Sequence, residues 1–196
     1  MKFYSSFNLR APSSPHAVRR SWGFLLLKKD YNMGMIVTSK SPLETKKIAA
    51  KLAAEILLQK PSRGAKIITL QGDLGAGKTT FVQGFVRACK VKEKVKSPTF
   101  LLVKSYELRV VSEGNKKTRN SKLETRNYKI LHHIDCYRVK NWKDLEQLEI
   151  KLILKDPQAI VLIEWPERIR AILPRRLIKV SLSHISPKER KISISL

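Results

Sequence analysis

The chain has 196 residues, 42% of them hydrophobic, which is enough for one domain with a buried core and at most an appendage. No apolar run approaches the roughly 20 residues needed to cross a bilayer, so a soluble, cytoplasmic protein with no membrane partner is expected. Forty basic residues against 16 acidic ones give a formal net charge of +24, a field that attracts polyanions such as RNA, although the basic residues are spread along the chain rather than gathered in one arm. Cys89 and Cys136 have no CxxC or Cys/His pattern around them and are expected to be reduced, packed thiols, with neither a disulfide framework nor a zinc site.

Residues 1–34 carry six Lys or Arg residues, a single acid at Asp30, and one short apolar cluster from Trp22 to Leu27. The stretch shares the basic, serine-containing character of a targeting peptide, but the cluster is too brief for a secretory core and runs straight into Lys28 and Lys29. It reads as a basic extension, either disordered or upstream of a true start at Met33 or Met35. The folded domain is placed at 35–196. Ile36 to Thr38 predicts a short strand. Ser41-Pro42-Leu43-Glu44 predicts a helix start with Ser41 as N-cap, Pro42 at the first position and Glu44 closing a capping box. Leu43, Ile48, Ala49, Leu52, Ala53, Ile56 and Leu57 then share an apolar face.

The apolar run Ile67 to Leu70 leads into Gly72-Asp73-Leu74-Gly75-Ala76-Gly77-Lys78-Thr79-Thr80, and Phe81, Val82, Phe85, Val86 and Cys89 follow at helical spacing. Strand, GxxxxGK[ST] loop and helix is the context of a phosphate-binding loop. Such a loop curls so that its backbone N–H groups face phosphate oxygens, and the helix behind it aims its positive end at the same point. Lys78 would reach the β- and γ-phosphates, and the Thr79 hydroxyl would coordinate Mg²⁺.

Ser97-Pro98-Thr99-Phe100 comes next, either a nucleotide-sensing switch or an ordinary capped turn, and a strand is predicted over Thr99 to Leu108. Residues 109–129 form a basic insertion with seven basic and two acidic residues. Tyr128 to Arg138 predicts a strand and its exit, with Leu131, His133, Asp135 and Tyr137 on one face. Asn141 to Leu154 predicts one helix with Leu145, Leu148, Leu152 and Ile153 on its apolar side. Ala159 to Ile163, ending in Glu164-Trp165, reads as a buried parallel strand. A short helix is predicted over Pro166 to Leu173, and an antiparallel pair over Leu177 to Ile185 and Arg190 to Leu196. The sum is an α/β, three-layer, P-loop NTPase-like fold with a mixed, mainly parallel sheet.

Hydrolysis needs a carboxylate that holds or orients the metal and a group that positions water. Glu164, after four apolar residues, and Asp135, at the end of the preceding strand, both fit, because open α/β sheets bind ligands at the carboxyl ends of their strands. A salt bridge to one of the many basic residues is the plainer role for either.

Taken in order, Gly72 to Thr80, Ser97 to Phe100, His133-x-Asp135-x-Tyr137-Arg138 and Glu164-Trp165 resemble the signature of the TsaE (YjeE) ATPases, which act in the biosynthesis of threonylcarbamoyladenosine in bacterial tRNA. The resemblance implies a small ATPase that uses ATP and Mg²⁺, binds TsaB-like and TsaD-like proteins and meets tRNA indirectly. By motif, it implies that Lys78 and the loop amides hold phosphates, that Thr79 and Glu164 hold Mg²⁺, and that Asp135 assists hydrolysis. Ser97, Pro98, Thr99 and Phe100 would be the switch, with Trp165 near the nucleotide. Where the family commonly has Leu-Gly, Leu148 is here followed by Glu149, so the helix is expected to run on. The competing class is a small-molecule P-loop kinase, which would need an acceptor pocket and an arginine-bearing lid. Only the 109–129 insertion could supply the lid.

Overall fold

The computed structural model describes residues 34–93, 95, 98, 102–108 and 127–196. The basic extension, most of the 109–129 insertion, and Ser97, Thr99 and Phe100 lie outside the described residues.

Seven strands form one sheet in the order β1-β7-β6-β2-β5-β4-β3. They are β1 (Met35–Ser39), β2 (Lys66–Gln71), β3 (Val103–Glu107), β4 (Ile130–Asp135), β5 (Ala159–Glu164), β6 (Ile178–His184) and β7 (Arg190–Ser195). The central four, β6, β2, β5 and β4, run parallel, while β7 and β3 pair antiparallel with β6 and β4 and β1 pairs antiparallel with β7. Helices α1 (Pro42–Leu58) and α2 (Lys78–Ala88) pack on one face. The other face carries a 3-10 helix (Trp142–Leu148), α3 (Ile150–Lys155) and a second 3-10 helix (Pro166–Ile172). The expected three-layer α/β architecture is therefore present, including its C-terminal antiparallel pair.

Helix α1 starts as its sequence dictates. Ser41 Oγ accepts from the Glu44 N–H at 3.2 Å, and Glu44 returns a bond to the N–H of Lys40 at 2.7 Å, one residue before the cap. The apolar face buries Ile48, Ala49, Leu52, Ala53, Ile56 and Leu57; Leu43, expected on that face, is 62% exposed. Helix α2 lies so close to α1 that a Cβ on Gly84 would sit 2.5 Å from backbone atoms of Lys46, a contact only glycine permits. Cys89 and Cys136 are free, buried thiols, and burial pushes both pKa values up to about 12. No helix among the described residues is long and apolar enough to cross a membrane.

Two expectations need correction. Of the strand expected over Thr99 to Leu108, Thr99 to Leu101 lie outside the described residues; β3 covers Val103–Glu107, and Leu102 before it is not extended but left-handed (φ 61°), its N–H donating to the Pro98 carbonyl at 2.6 Å. The single helix expected over Asn141 to Leu154 is two pieces. The first is a 3-10 helix capped by Asn141 and Asp144, which ends where Glu149 turns left-handed (φ 49°, ψ 33°). α3 starts directly after it. Glutamate thus adopts the turn that glycine would favour, and the break re-phases the apolar side, burying Leu145, Ile150 and Leu154 while Leu152 stays 60% exposed.

Candidate functional site

The phosphate loop is built where β2, the central strand, hands over to α2. Gly72, Gly75 and Gly77 all have positive φ. A Cβ on Gly72 would collide with the Leu182 carbonyl oxygen, so this position excludes any side chain. Lys78 folds back into its own loop, donating from Nζ to the carbonyls of Gly72 at 2.6 Å and Asp73 at 2.9 Å. The same ammonium sits 3.8 Å from the centroid of the Trp165 ring. Burial lowers the Lys78 pKa, and the charges of Glu164, Glu167, Asp135 and Asp73 partly offset that shift.

The carboxylates arrive by register. Parallel pairing sets Asp135 at the end of β4 opposite Glu164 at the end of β5, and Leu70 of β2 opposite Glu164 on the other side. Alternation turns Asp135 and Glu164 toward the α1/α2 face, the face from which the loop rises. The Thr79 hydroxyl lies 3.3 and 3.2 Å from the two Glu164 oxygens. His133 Nε2 lies 2.9 Å from Glu164 Oε1 in a fully buried contact. A carboxylate only accepts, so Nε2 carries the proton of this bond. Asp135 Oδ1 accepts the Tyr137 N–H at 3.0 Å. Tyr137 tilts against Trp165 with ring centroids 5.2 Å apart, and Trp165 itself is left-handed (φ 59°).

These groups line a cavity of about 400 Å³ formed by Leu74, Gly75, Gly77, Lys78, Thr79, Thr80, Asp135, Tyr137, Glu164 and Trp165. Of the loop residues singled out from the sequence, Gly72, Asp73 and Ala76 are not part of this lining. The first two hold Lys78 through their carbonyls, and Ala76 is buried. Of the four switch residues only Pro98 is described; it is buried, and its carbonyl shapes the entry to β3. Sequence reasoning placed His133 on the right face but gave it no task. Its partner Glu164 comes from the neighbouring strand, and only the strand register reveals the pair. Chemically, the site offers an ammonium, a hydroxyl and two carboxylates around a loop of backbone amides, a set suited to a phosphate and a hard divalent cation.

A family model described as "Threonylcarbamoyl adenosine biosynthesis protein TsaE" matches residues 39–192. The chain is 32% identical to the tRNA threonylcarbamoyladenosine biosynthesis protein TsaE of Bacillus subtilis (strain 168), over 79% of this chain and 81% of the relative. It is 34% identical to the protein of the same name in Rickettsia felis, over 77% and 74% of the two chains, and 37% identical to that of Aquifex aeolicus, over 64% and 75%. Among solved structures, YdiB of Bacillus subtilis superposes with a TM-score of 0.57 at 26% identity, covering 83% of this chain and 85% of that one. The chain accordingly belongs to the TsaE family of tRNA threonylcarbamoyladenosine biosynthesis proteins, with the nucleotide-binding fold of the P-loop NTPases.

Proposed function

We propose that the protein is the ATP-hydrolysing subunit of the bacterial machinery that makes threonylcarbamoyladenosine in tRNA, and that it acts on a complex of TsaB-like and TsaD-like proteins. The observation that carries this reading is the contact of Glu164 with both Thr79 and His133 at the mouth of the phosphate loop. A glycine loop alone binds phosphate; a carboxylate fixed beside its threonine adds the means to hold a metal ion.

The residues present fit Mg²⁺. That ion takes one or two protein oxygens and completes its shell with phosphate and water, so the Thr79 hydroxyl and the Glu164 carboxylate suffice. When bound, Mg²⁺ neutralises developing charge on the phosphates. The Thr79–Glu164 hydrogen bonds keep both oxygen ligands converged before the ion arrives, and His133, bonded to Oε1, fixes the orientation of the carboxylate. Lys78 leaves the carbonyls of Gly72 and Asp73 for the β- and γ-phosphates, exchanging two neutral acceptors for charged ones. The loop N–H groups and the start of α2 take the remaining phosphate oxygens. Asp135, across from Glu164, orients the attacking water and accepts its hydrogen bond. Trp165 closes one wall beside the nucleotide, and residues 97–100 act as the switch that reports hydrolysis to the partners.

The test is steady-state ATPase activity of the purified chain with and without the TsaB and TsaD proteins of the same source. Stimulation by the two proteins supports the reading. ADP formation that instead requires a small-molecule acceptor makes the protein a kinase.

A further inference from the structure

The two halves of the sheet are covered differently. On the face opposite α1 and α2, the apolar cluster draws on β2, β4 and β5 but takes nothing from β6, β7 or β1. Side chains on that face of β6 and β7 remain uncovered: Lys179, Ser181 and Ser183 on one strand, Lys191, the half-buried Ser193 and Ser195 on the other. Val180, Leu182, Ile192 and Ile194 alternate with them into the opposite core, which fixes the orientation. Register sets Lys179 against Ser195, Ser181 against Ser193 and Ser183 against Lys191. Opposite charges facing each other across strands stabilise an exposed ladder. This one carries cations and hydroxyls and no carboxylate.

The surface continues into a cleft of about 510 Å³ beneath the C-terminal 3-10 helix, where Arg170, Arg175 and Lys179 converge with Gln71 and Thr69 and with one acid, Glu167. None of the three cations has an ion-pair partner within 4.0 Å among the described residues.

We propose that this cleft and the open face of β6 and β7 form a binding surface for the phosphodiester backbone of RNA. Arginine, lysine, serine and glutamine are the side chains that contact nucleic-acid phosphates and sugars. A hydroxyl both donates and accepts, so the serine rows match the ribose 2′-hydroxyl as well as phosphate oxygens, whereas an acidic protein segment calls for cations alone. Successive side chains on this face stand about 6.8 Å apart along each strand, a repeat that suits an extended polyanion rather than a single phosphate. The overall charge of +24 brings such a polymer in, and the cleft gives it an address. The family's place in tRNA modification governs only the choice of probe.

The experiment is fluorescence anisotropy of a labelled tRNA transcript with the full-length protein, without ATP or partner proteins, across a salt series. A triple variant, Arg170→Gln with Arg175→Gln and Lys179→Gln, is compared with an equal charge loss on the α1/α2 face, Lys47→Gln with Lys60→Gln and Arg87→Gln. Circular dichroism confirms that both fold. The cleft variant is expected to bind at least about tenfold more weakly and to lose about 2–3 from the log–log salt slope, with the control close to wild type. Equal loss in the two variants, displacement of the RNA by excess ATP, displacement by polyglutamate at matched charge, or no binding by the wild type would each overturn the proposal. None of these outcomes touches the ATPase reading, which is measured separately.

Discussion

The carboxyl ends of β4 and β5 and the segment from Trp142 to Lys155, which lies between them in the chain, solve opposite problems. At the strand ends, Lys78, His133, Asp135 and Glu164 are all buried, and each is held by short hydrogen bonds. Burial without partners would cost several kcal/mol per charged group, so these contacts are a condition of folding as well as of chemistry. In the second region the backbone carries the strain: Glu149 is left-handed, and Leu148 and Leu152 face solvent. Polar side chains under tight constraint mark the site; a strained backbone with exposed side chains marks a turn that packing requires.

The contrast is broken most severely at Lys78. Lys78→Ala removes the one ammonium in the loop and is expected to lower ATPase kcat/KM by about 10²–10³-fold, comparable to deleting one transition-state hydrogen-bond donor. Steady-state kinetics beside a thermal melt checks it, since the fold should survive. Asp135→Asn keeps the shape and removes the charge. It is expected to bind ATP with near wild-type affinity, measured by calorimetry, while hydrolysis slows by about 10²-fold; an equal loss of binding would give Asp135 a structural role.

The second region is expected to respond in stability rather than in activity. Glu149→Gly relieves a left-handed conformation at an exposed side chain and should stabilise the fold by about 1 kcal/mol, read as a rise of about 2–4 °C in Tm with ATPase unchanged. A smaller stability effect is expected at His132 of β4, on the sheet face that carries the second region. It faces away from the phosphate loop, hydrogen-bonds Ser105 at 2.8 Å, and has its pKa lowered from 6.5 chiefly by burial, which the nearby charge of Asp156 partly offsets. Between its lowered folded pKa and 6.5 the unfolded chain binds more protons, so stability rises with pH through that window and is lost as pH falls below 6.5. Urea midpoints at pH 5 and 7.5 should show this slope, and His132→Gln should flatten it.

The same contrast explains what the sequence disclosed. The loop from Gly72 to Thr80 is legible because its glycines, lysine and threonine are local requirements of one turn. Asp135 and Glu164 are legible because each ends an apolar strand. The His133–Glu164 bond is not, since it depends on the register between β4 and β5. The left-handed Leu102 and Glu149 are not either. Neither is glycine, and tertiary demands impose the conformation: Leu102 bonds both Pro98 and the Asp135 N–H, and Glu149 lets Leu145 and Ile150 both reach the core. Propensity favoured an extended Leu102 and a continuous helix over Asn141 to Leu154, and packing overrode both.

If the buried cluster makes the phosphate-binding loop the proposed metal-dependent hydrolytic site, Glu164→Ala removes that activity and leaves the fold. Mg²⁺-dependent release of phosphate from ATP is measured for this variant and the wild type in the presence of the TsaB and TsaD proteins. A folded variant that has lost its Mg²⁺-dependent turnover is the predicted result, and hydrolysis at the wild-type rate with the same Mg²⁺ dependence would contradict it.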